Sequence, residues 1–67
     1  MEDKQKICDL LLPALQATDN LHDLKHLYYD EEKEKVVATF TSGYLKVAHV
    51  AMDSGTSMIR DIIKQIV

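Results

Sequence analysis

The sequence predicts one small α+β domain, residues 1–67, in which an antiparallel β-meander of two to three strands packs with an N-terminal and a C-terminal helix. Three observations predict it. Two runs rich in β-branched and aromatic residues, 35–41 and 44–52, are separated only by a Ser-Gly dipeptide. Isoleucines recur at helical spacing near the end of the chain, and a broad apolar periodicity opens it. The element order is then α-β-β-β-α, an arrangement with helices set against a small sheet.

The first helix is predicted over residues 3–17, with Asp3 as its N-cap. Its apolar face comprises Ile7, Cys8, Leu11, Leu12 and Leu15. Pro13 conflicts with a regular helix, because a proline in a helix interior removes a backbone hydrogen bond and costs about 3 kcal/mol. We therefore expect either a kink or two shorter helices, the second beginning with Pro13 in its first turn.

Residues 21–30 fit two structures. Leu21, Leu24 and Leu27 have the spacing of a helical turn, whereas the run Leu27-Tyr28-Tyr29 is typical of a strand. The charged segment 31–34 follows and reads as a solvated turn in front of the next β-rich run. We therefore predict a first strand near residues 25–29, with a helix as the alternative.

A hairpin with a two-residue connection, Ser42-Gly43, is predicted next, because Gly adopts the positive φ that such turns need. Val36, Ala38 and Phe40 are the expected core face of its first strand. Its second strand carries apolar residues on both faces, so which face of the sheet is covered stays open.

The closing helix carries apolar residues over an arc of roughly 180°, wider than the ~100° stripe of an ordinary surface helix. The first helix covers roughly 200°, and both sheet faces are apolar, which is more than one short chain is expected to bury. This surplus predicts a homo-oligomer, most simply a dimer, or docking on a protein partner. The alternative is a monomer with a somewhat apolar surface. The predicted interface residues are Leu12, Leu15, Met58, Ile59, Ile62, Ile63 and Ile66.

A second candidate site is the start of this helix, where Asp53 and Ser54 are possible caps. Free backbone N–H groups and the hydroxyls near Gly55 suit a phosphate or carboxylate. The ligand-binding residues would be Ser54, Gly55, Thr56 and Ser57, and the ligand a nucleotide or another phosphorylated molecule. Simple capping is the more common use of such residues, and the loop lacks the lysine of a P-loop.

Asp19, His22, Asp23 and His26 would share one face of a helix and could then hold zinc. In an extended chain the two histidines lie ~13 Å apart, too far to share an ion. A solvated polar face is the expected outcome, and no metal site or cofactor is predicted.

Cys8 lies on an apolar helical face, where a cysteine behaves as a small hydrophobic residue, so no catalytic residue is predicted. A single cysteine also excludes an intramolecular disulfide. Tyr28, Tyr29 and Tyr44 are expected in cross-strand packing, with anchoring of a partner as the alternative.

The formal net charge of −3 argues against nucleic acid or an anionic membrane as the main partner, since both favour a basic face. The N-terminal apolar run is too short for a signal peptide or a membrane span. With a free cysteine, these features predict a cytoplasmic protein.

The segments Ser42–Lys46 and Met52–Ile62 resemble small uncharacterised proteins of low-GC Gram-positive bacteria and their mobile elements. In those proteins a Gly-Tyr turn precedes a strand, and Asp-Ser-Gly opens a final Ile-rich helix. The resemblance implies a fold and a bacterial or prophage origin, and no activity. In element order alone the chain is also similar to the head-to-tail joining protein of tailed phages. The expected function is therefore that of a small non-enzymatic binding protein.

Overall fold

The computed structural model describes residues 3–50 and 54–66 and confirms the predicted order of elements. These are α1 (Lys4–Gln16), β1 (Leu24–Asp30), β2 (Lys35–Phe40), β3 (Leu45–His49) and α2 (Gly55–Ile66). The strands form an antiparallel meander in the order β1-β2-β3. Helix α1 packs against β1, α2 packs against β3, and the two helices touch each other. The expected ends of the last strand, at Met52, and of the last helix, at Val67, lie outside the described residues.

Helix α1 begins as expected, with the backbone N–H of Lys6 donating to Asp3 Oδ1 at 3.0 Å. It continues as one helix through Pro13, so the division into two helices is not observed. Pro13 lies in the last turn, and the carbonyl that it leaves without a helical donor belongs to Asp9. Both residues are exposed, so water can take the place of the missing N–H and the proline costs little there.

In the ambiguous segment 21–30, residues 24–30 form a strand, as predicted for residues near 25–29, and residues 21–23 form a turn. The pairing of this strand explains the helix-like spacing of its leucines. The register of β1 against β2 shifts between Leu24 and His26, which leaves Lys25 as an extra residue. Such a bulge changes which face the following residues point to. Leu24 and Leu27, three apart, are therefore both buried on the same side of the sheet.

The hairpin between β2 and β3 has a loop of three residues, Thr41–Gly43, where two were predicted. Phe40 N–H donates to the Tyr44 carbonyl at 2.9 Å, and Gly43 N–H donates to the Phe40 carbonyl at 2.9 Å. Gly43 has φ 89°, the left-handed conformation that ends the common three-residue hairpin loop. The glycine is thus required for its backbone, as expected, although at a different place in the turn.

The core lies between the sheet and the two helices. Val36, Ala38 and Phe40 of β2 are buried there, as predicted. The face of β3 that carries Ala48, followed by Val50, is covered as well. The other buried residues of the core cluster are Cys8, Leu15, Leu21, Leu24, Leu27, Met58, Ile62 and Ile66. No helix among the described residues lies on the opposite face of the sheet.

Candidate interaction surface

The residues predicted as an interface lie mostly inside this chain's own core, which corrects that expectation. Met58, Ile62 and Ile66 are fully buried, and Leu15 is nearly so. A helix that contacts both a sheet and a neighbouring helix buries a wider arc than a helix on a single surface. The wide apolar arcs of α1 and α2 therefore have an explanation within one chain. Of the remaining predicted residues, Leu12 and Ile59 are half-buried and Ile63 is exposed.

The residues predicted to bind an anion form a helix cap. Ser57 N–H donates to Ser54 Oγ at 3.4 Å, and Ser54 Oγ donates to Ser57 Oγ at 3.1 Å. Ser54 Oγ also lies 3.5 Å from Thr56 Oγ1, and Gly55 is buried. Ser54 thus caps one N–H group of the helix start, and the hydroxyls bond to one another. Asp53, the other possible cap, lies outside the described residues.

The uncovered side of the sheet carries a continuous apolar strip. Tyr28, Val37 and Val47 stand next to one another across the three strands, and Leu45 lies beside Val47 on the same side of β3. Tyr28 is 57% exposed, Leu45 56% and Val47 38%, and Val37 is half-buried. We call these four residues the open face.

Polar residues surround the open face along the strands. Asp30, Lys35 and His49 form the next row of the sheet on this side at one end, and His26 and Thr39 lie beside Leu45 at the other. An apolar centre with a polar rim is the usual composition of a protein–protein interface.

The two edges of the sheet differ in their free hydrogen-bonding groups, and β1 is largely closed. Gln5 Nε2 donates to the Leu27 carbonyl at 3.4 Å, and Tyr29 N–H donates to Gln5 Oε1 at 2.9 Å. The side-chain amide of Gln5 thereby makes the two hydrogen bonds, on either side of Tyr28, that a neighbouring strand would otherwise make. Gln16 Nε2 donates to the Leu24 carbonyl at 2.8 Å. Side chains of α1 thus cover three of the backbone groups that an edge strand normally exposes.

The edge of β3 is closed only at one end. His49 N–H donates to Gln65 Oε1 at 2.9 Å, and Gln65 Nε2 donates back to the His49 carbonyl at 3.2 Å. Tyr44 and Val50 bond toward β2, so by alternation Leu45 and Val47 direct their backbone groups away from the sheet. Within residues 3–50 and 54–66 these groups have no hydrogen-bond partner on that side. The middle of β3 is therefore an open edge.

Lys46 lies on the covered side of this edge. Its Nζ donates to the Ile66 carbonyl, near the C-terminal end of α2, at 3.0 Å. A helix C-terminus carries partial negative charge, so it stabilises the ammonium group. The bond joins the middle of β3 to the last turn of α2.

Cys8 is fully buried, as its position on the apolar face predicts. Burial, with a smaller contribution from the carboxylate of Asp9, raises the pKa of the Cys8 thiol to about 11. The thiolate is the nucleophilic form, so the thiol is inert near neutral pH.

The histidines do not lie on a common helix. His22 lies in the turn before β1, with Nδ1 2.8 Å from the Asp19 carbonyl, and His26 lies on the open side of β1. No group of three or more His, Cys, Asp or Glu side chains in the described part of the chain is placed to bind a metal.

The three tyrosines have different environments. Tyr29 is half-buried under α1, with Lys4 Nζ 5.5 Å from its ring centroid. Tyr44 is exposed, and its ring centroid lies 6.1 Å from that of Phe40. Tyr28 stands on the open face and contributes much of its apolar area.

No protein-family model, curated protein or solved structure matches this chain. Neither α1 nor α2, over its described length, is long and apolar enough to cross a bilayer.

The residues that sequence reasoning missed are the glutamines that close the edges. Gln5 and Gln65 each flank the apolar arc of an amphipathic helix. In the sequence, a glutamine at such a position that bonds a strand edge cannot be distinguished from one that only contacts solvent. Their hydrogen bonds join residues that are 24 and 16 positions apart, respectively, so no local sequence pattern predicts these bonds.

Proposed function

We propose that this is a non-enzymatic protein-binding protein whose contact surface is the open face of the sheet together with the free edge of β3. The observation that supports the proposal is the strip formed by Tyr28, Val37, Leu45 and Val47, which is exposed while the helices cover the opposite face. The proposal retains self-association and docking on a protein partner, and moves the contact from the helices to the sheet.

The chemistry of the strip suits a protein partner. Burying apolar surface contributes roughly 25 cal/mol per Å², so a few side chains of this size give useful affinity. Tyrosine is among the residues that most often dominate binding energy, because its rigid ring loses little conformational entropy. The strip is small, which favours an interface of modest area and a reversible complex.

The surrounding charge supports a protein rather than a nucleic acid. The rim carries Asp30 beside Lys35 at one end and His26 at the other, which gives no consistently positive track for a phosphate backbone. The net charge of −3 acts in the same direction. We further propose a cytoplasmic role in a bacterium or prophage, on the resemblance of the C-terminal half.

A photo-crosslinking experiment tests the contact surface. A benzophenone amino acid replaces Tyr28 in the tagged protein, which is expressed in its natural host and irradiated. The matched control places the same amino acid at Arg60, an exposed position on α2. We expect discrete adducts to a protein from position 28 and none from position 60. Adducts from position 60 alone, or from neither position, would contradict the proposal.

A further inference from the structure

We infer that the occupant of the open β3 edge is β3 of a second copy of this chain, paired antiparallel across a two-fold axis at Lys46. The two three-stranded sheets then form one continuous sheet of six strands. The inference rests on the self-association in the proposed function and specifies its geometry, its register and its closure.

The difference between the two edges leads to a closed dimer. Gln5 and Gln16 bond the backbone of β1 at Leu24, Leu27 and Tyr29. A strand added at β1 would have to displace these side chains. Among the described residues, only β3 presents adjacent residues whose outward N–H and C=O groups are all free, so pairing uses the same edge on both copies. An interface that uses the same surface twice closes after two subunits and does not grow into a filament.

The register follows from which β3 residues are free. In β3, only Leu45 and Val47 direct outward backbone groups that lack a partner within residues 3–50 and 54–66, because Gln65 occupies those of His49. An axis at Lys46 places Leu45 opposite Val47 of the second copy, and Val47 opposite its Leu45. Each such pair exchanges two N–H···O bonds, so this register makes four bonds and uses every free group.

The neighbouring two-fold registers leave free groups of β3 without partners. An axis at Val47 pairs Val47 with itself and sets Leu45 against His49, whose groups are already bonded to Gln65. An axis at Leu45 sets Val47 against Gly43, whose N–H is bonded to the Phe40 carbonyl in the turn, so the Val47 carbonyl of each copy has no donor. Neither register uses every free group, as the axis at Lys46 does.

The side chains on the open side support the same register. Leu45 is 56% exposed and Val47 38% exposed in the single chain. In the dimer they become directly opposed cross-strand pairs, whose Cβ atoms stand about 5 Å apart. The two open faces also join into one, so the dimer presents a larger apolar surface than either copy alone.

Lys46 limits the strength of the pairing and gives it a salt dependence. The axis brings Lys46 opposite Lys46 of the second copy on the covered side, and like charges directly opposite destabilise a sheet. The bond from each Nζ to the carbonyl of Ile66 offsets part of this repulsion. Added salt screens the remainder, so the dimer strengthens with ionic strength.

Single cysteines along β3 test the register. At an axis through Lys46, the two Cα atoms of a Lys46→Cys dimer lie about 4.5 Å apart, within the range of a disulfide. Leu45→Cys and Val47→Cys are the matched controls, because each places its two copies about 8 Å apart, beyond that range. Cys8 is buried and stays in all variants.

After mild oxidation at high micromolar concentration, we expect Lys46→Cys to form a covalent dimer at least ten times faster than either control. Dominant coupling by Leu45→Cys or Val47→Cys would overturn the register. Coupling by none of the three above the rate of the unsubstituted chain would overturn the edge pairing.

A second measurement does not depend on cysteine chemistry. Val47→Pro removes the outward N–H without touching the bonds to β2, and edge strands tolerate proline in that orientation. Val47→Thr keeps the N–H and serves as the control. In sedimentation equilibrium we expect at least tenfold weaker dimerisation for the proline variant and a smaller change for threonine. Equal masses for both variants and the unsubstituted chain would contradict the inference.

The two proposals fail separately. If the cysteines do not couple but position 28 still crosslinks to a partner in cells, edge pairing is wrong and the binding face stands. If the cysteines couple while position 28 gives no adduct, the dimer stands and the open face has lost its role in binding a partner.

Discussion

The two faces of the sheet both carry apolar side chains but have opposite environments. On β2, Val36 and Ala38 point under the helices and are fully buried, while Val37 points to the open face and stays half-buried. Alternate residues of one strand therefore differ in burial because of what lies above them. The two helices of this chain can cover one face of three strands, and the apolar residues of the other face remain available for binding.

A matched pair of leucines tests this comparison with the largest expected effect. Leu24 is 1% exposed on the covered side, and Leu45 is 56% exposed on the open side. Leu24→Ala is expected to lower the free energy of unfolding by about 2–5 kcal/mol, because it leaves a cavity in the core. Leu45→Ala is expected to change it by less than about 0.5 kcal/mol.

Urea unfolding at low micromolar concentration, where the monomer predominates, measures the free energy of unfolding of both leucine variants. Loss of the cooperative transition in Leu24→Ala agrees with the upper end of the range, since a chain of this size has little stability to lose. Equal losses for the two leucines would show that the open face is covered in the monomer.

Two adjacent tyrosines sharpen the comparison at an intermediate effect. Tyr29→Thr removes a half-buried ring that packs under α1 and lies near the ammonium of Lys4, so we expect a loss of about 1–2 kcal/mol. Tyr28→Thr keeps a strand-forming residue and should cost less than about 0.5 kcal/mol.

Thermal unfolding monitored by circular dichroism distinguishes the two variants. The order of the midpoints is the result that matters: Tyr29→Thr below Tyr28→Thr, which stays near the unsubstituted chain. The reverse order would mean that the register of β1 is displaced by one residue, since such a slip exchanges the two faces.

The two edge glutamines give the smallest expected change in stability, about 1 kcal/mol for either Gln5→Ala or Gln65→Ala. Their effects on association should differ. Gln65→Ala frees the backbone groups of His49 beside an edge that is already open. This variant should self-associate more strongly, and its dimer can also form in the register centred on Val47. Gln5→Ala frees groups of Leu27 and Tyr29 and creates a second open edge.

Light scattering across a concentration series separates these outcomes. We expect species larger than a dimer only for Gln5→Ala, because two open edges permit continued addition. A Gln5→Ala protein that stops at the dimer would indicate that β1 is closed by something besides this side chain.

Local patterns predicted most of the fold. Asp3 ahead of an apolar repeat predicted the cap, and the alternation of Val36, Ala38 and Phe40 predicted the core face of β2. The bulge at Lys25 could not be predicted, because it depends on how β1 pairs with a strand beyond the turn. The extra residue in the turn at Gly43 likewise depends on the register of the two strands.

The interface predicted on the helices is the expectation that the fold corrects, because most of its residues are buried. A wide apolar arc on a helix predicts that much of the helix surface is buried. It does not predict whether the covering surface belongs to the same chain or to another. Met58, Ile62 and Ile66 are buried by the sheet and by α1. Exposed apolar residues remain at Leu10 and Ile63 on the helices, and a contiguous group lies on the strands, where the sequence left the choice of covered face open.

The most direct test of the account is a dilution series followed by amide chemical shifts of the ¹⁵N-labelled protein. If two β3 edges pair, the amide shifts of Leu45, Lys46 and Val47 change with concentration, while those of Leu27 and Tyr29 on the closed edge stay constant. Shifts that change instead along Met58–Ile66, or no change up to millimolar concentration, would contradict it.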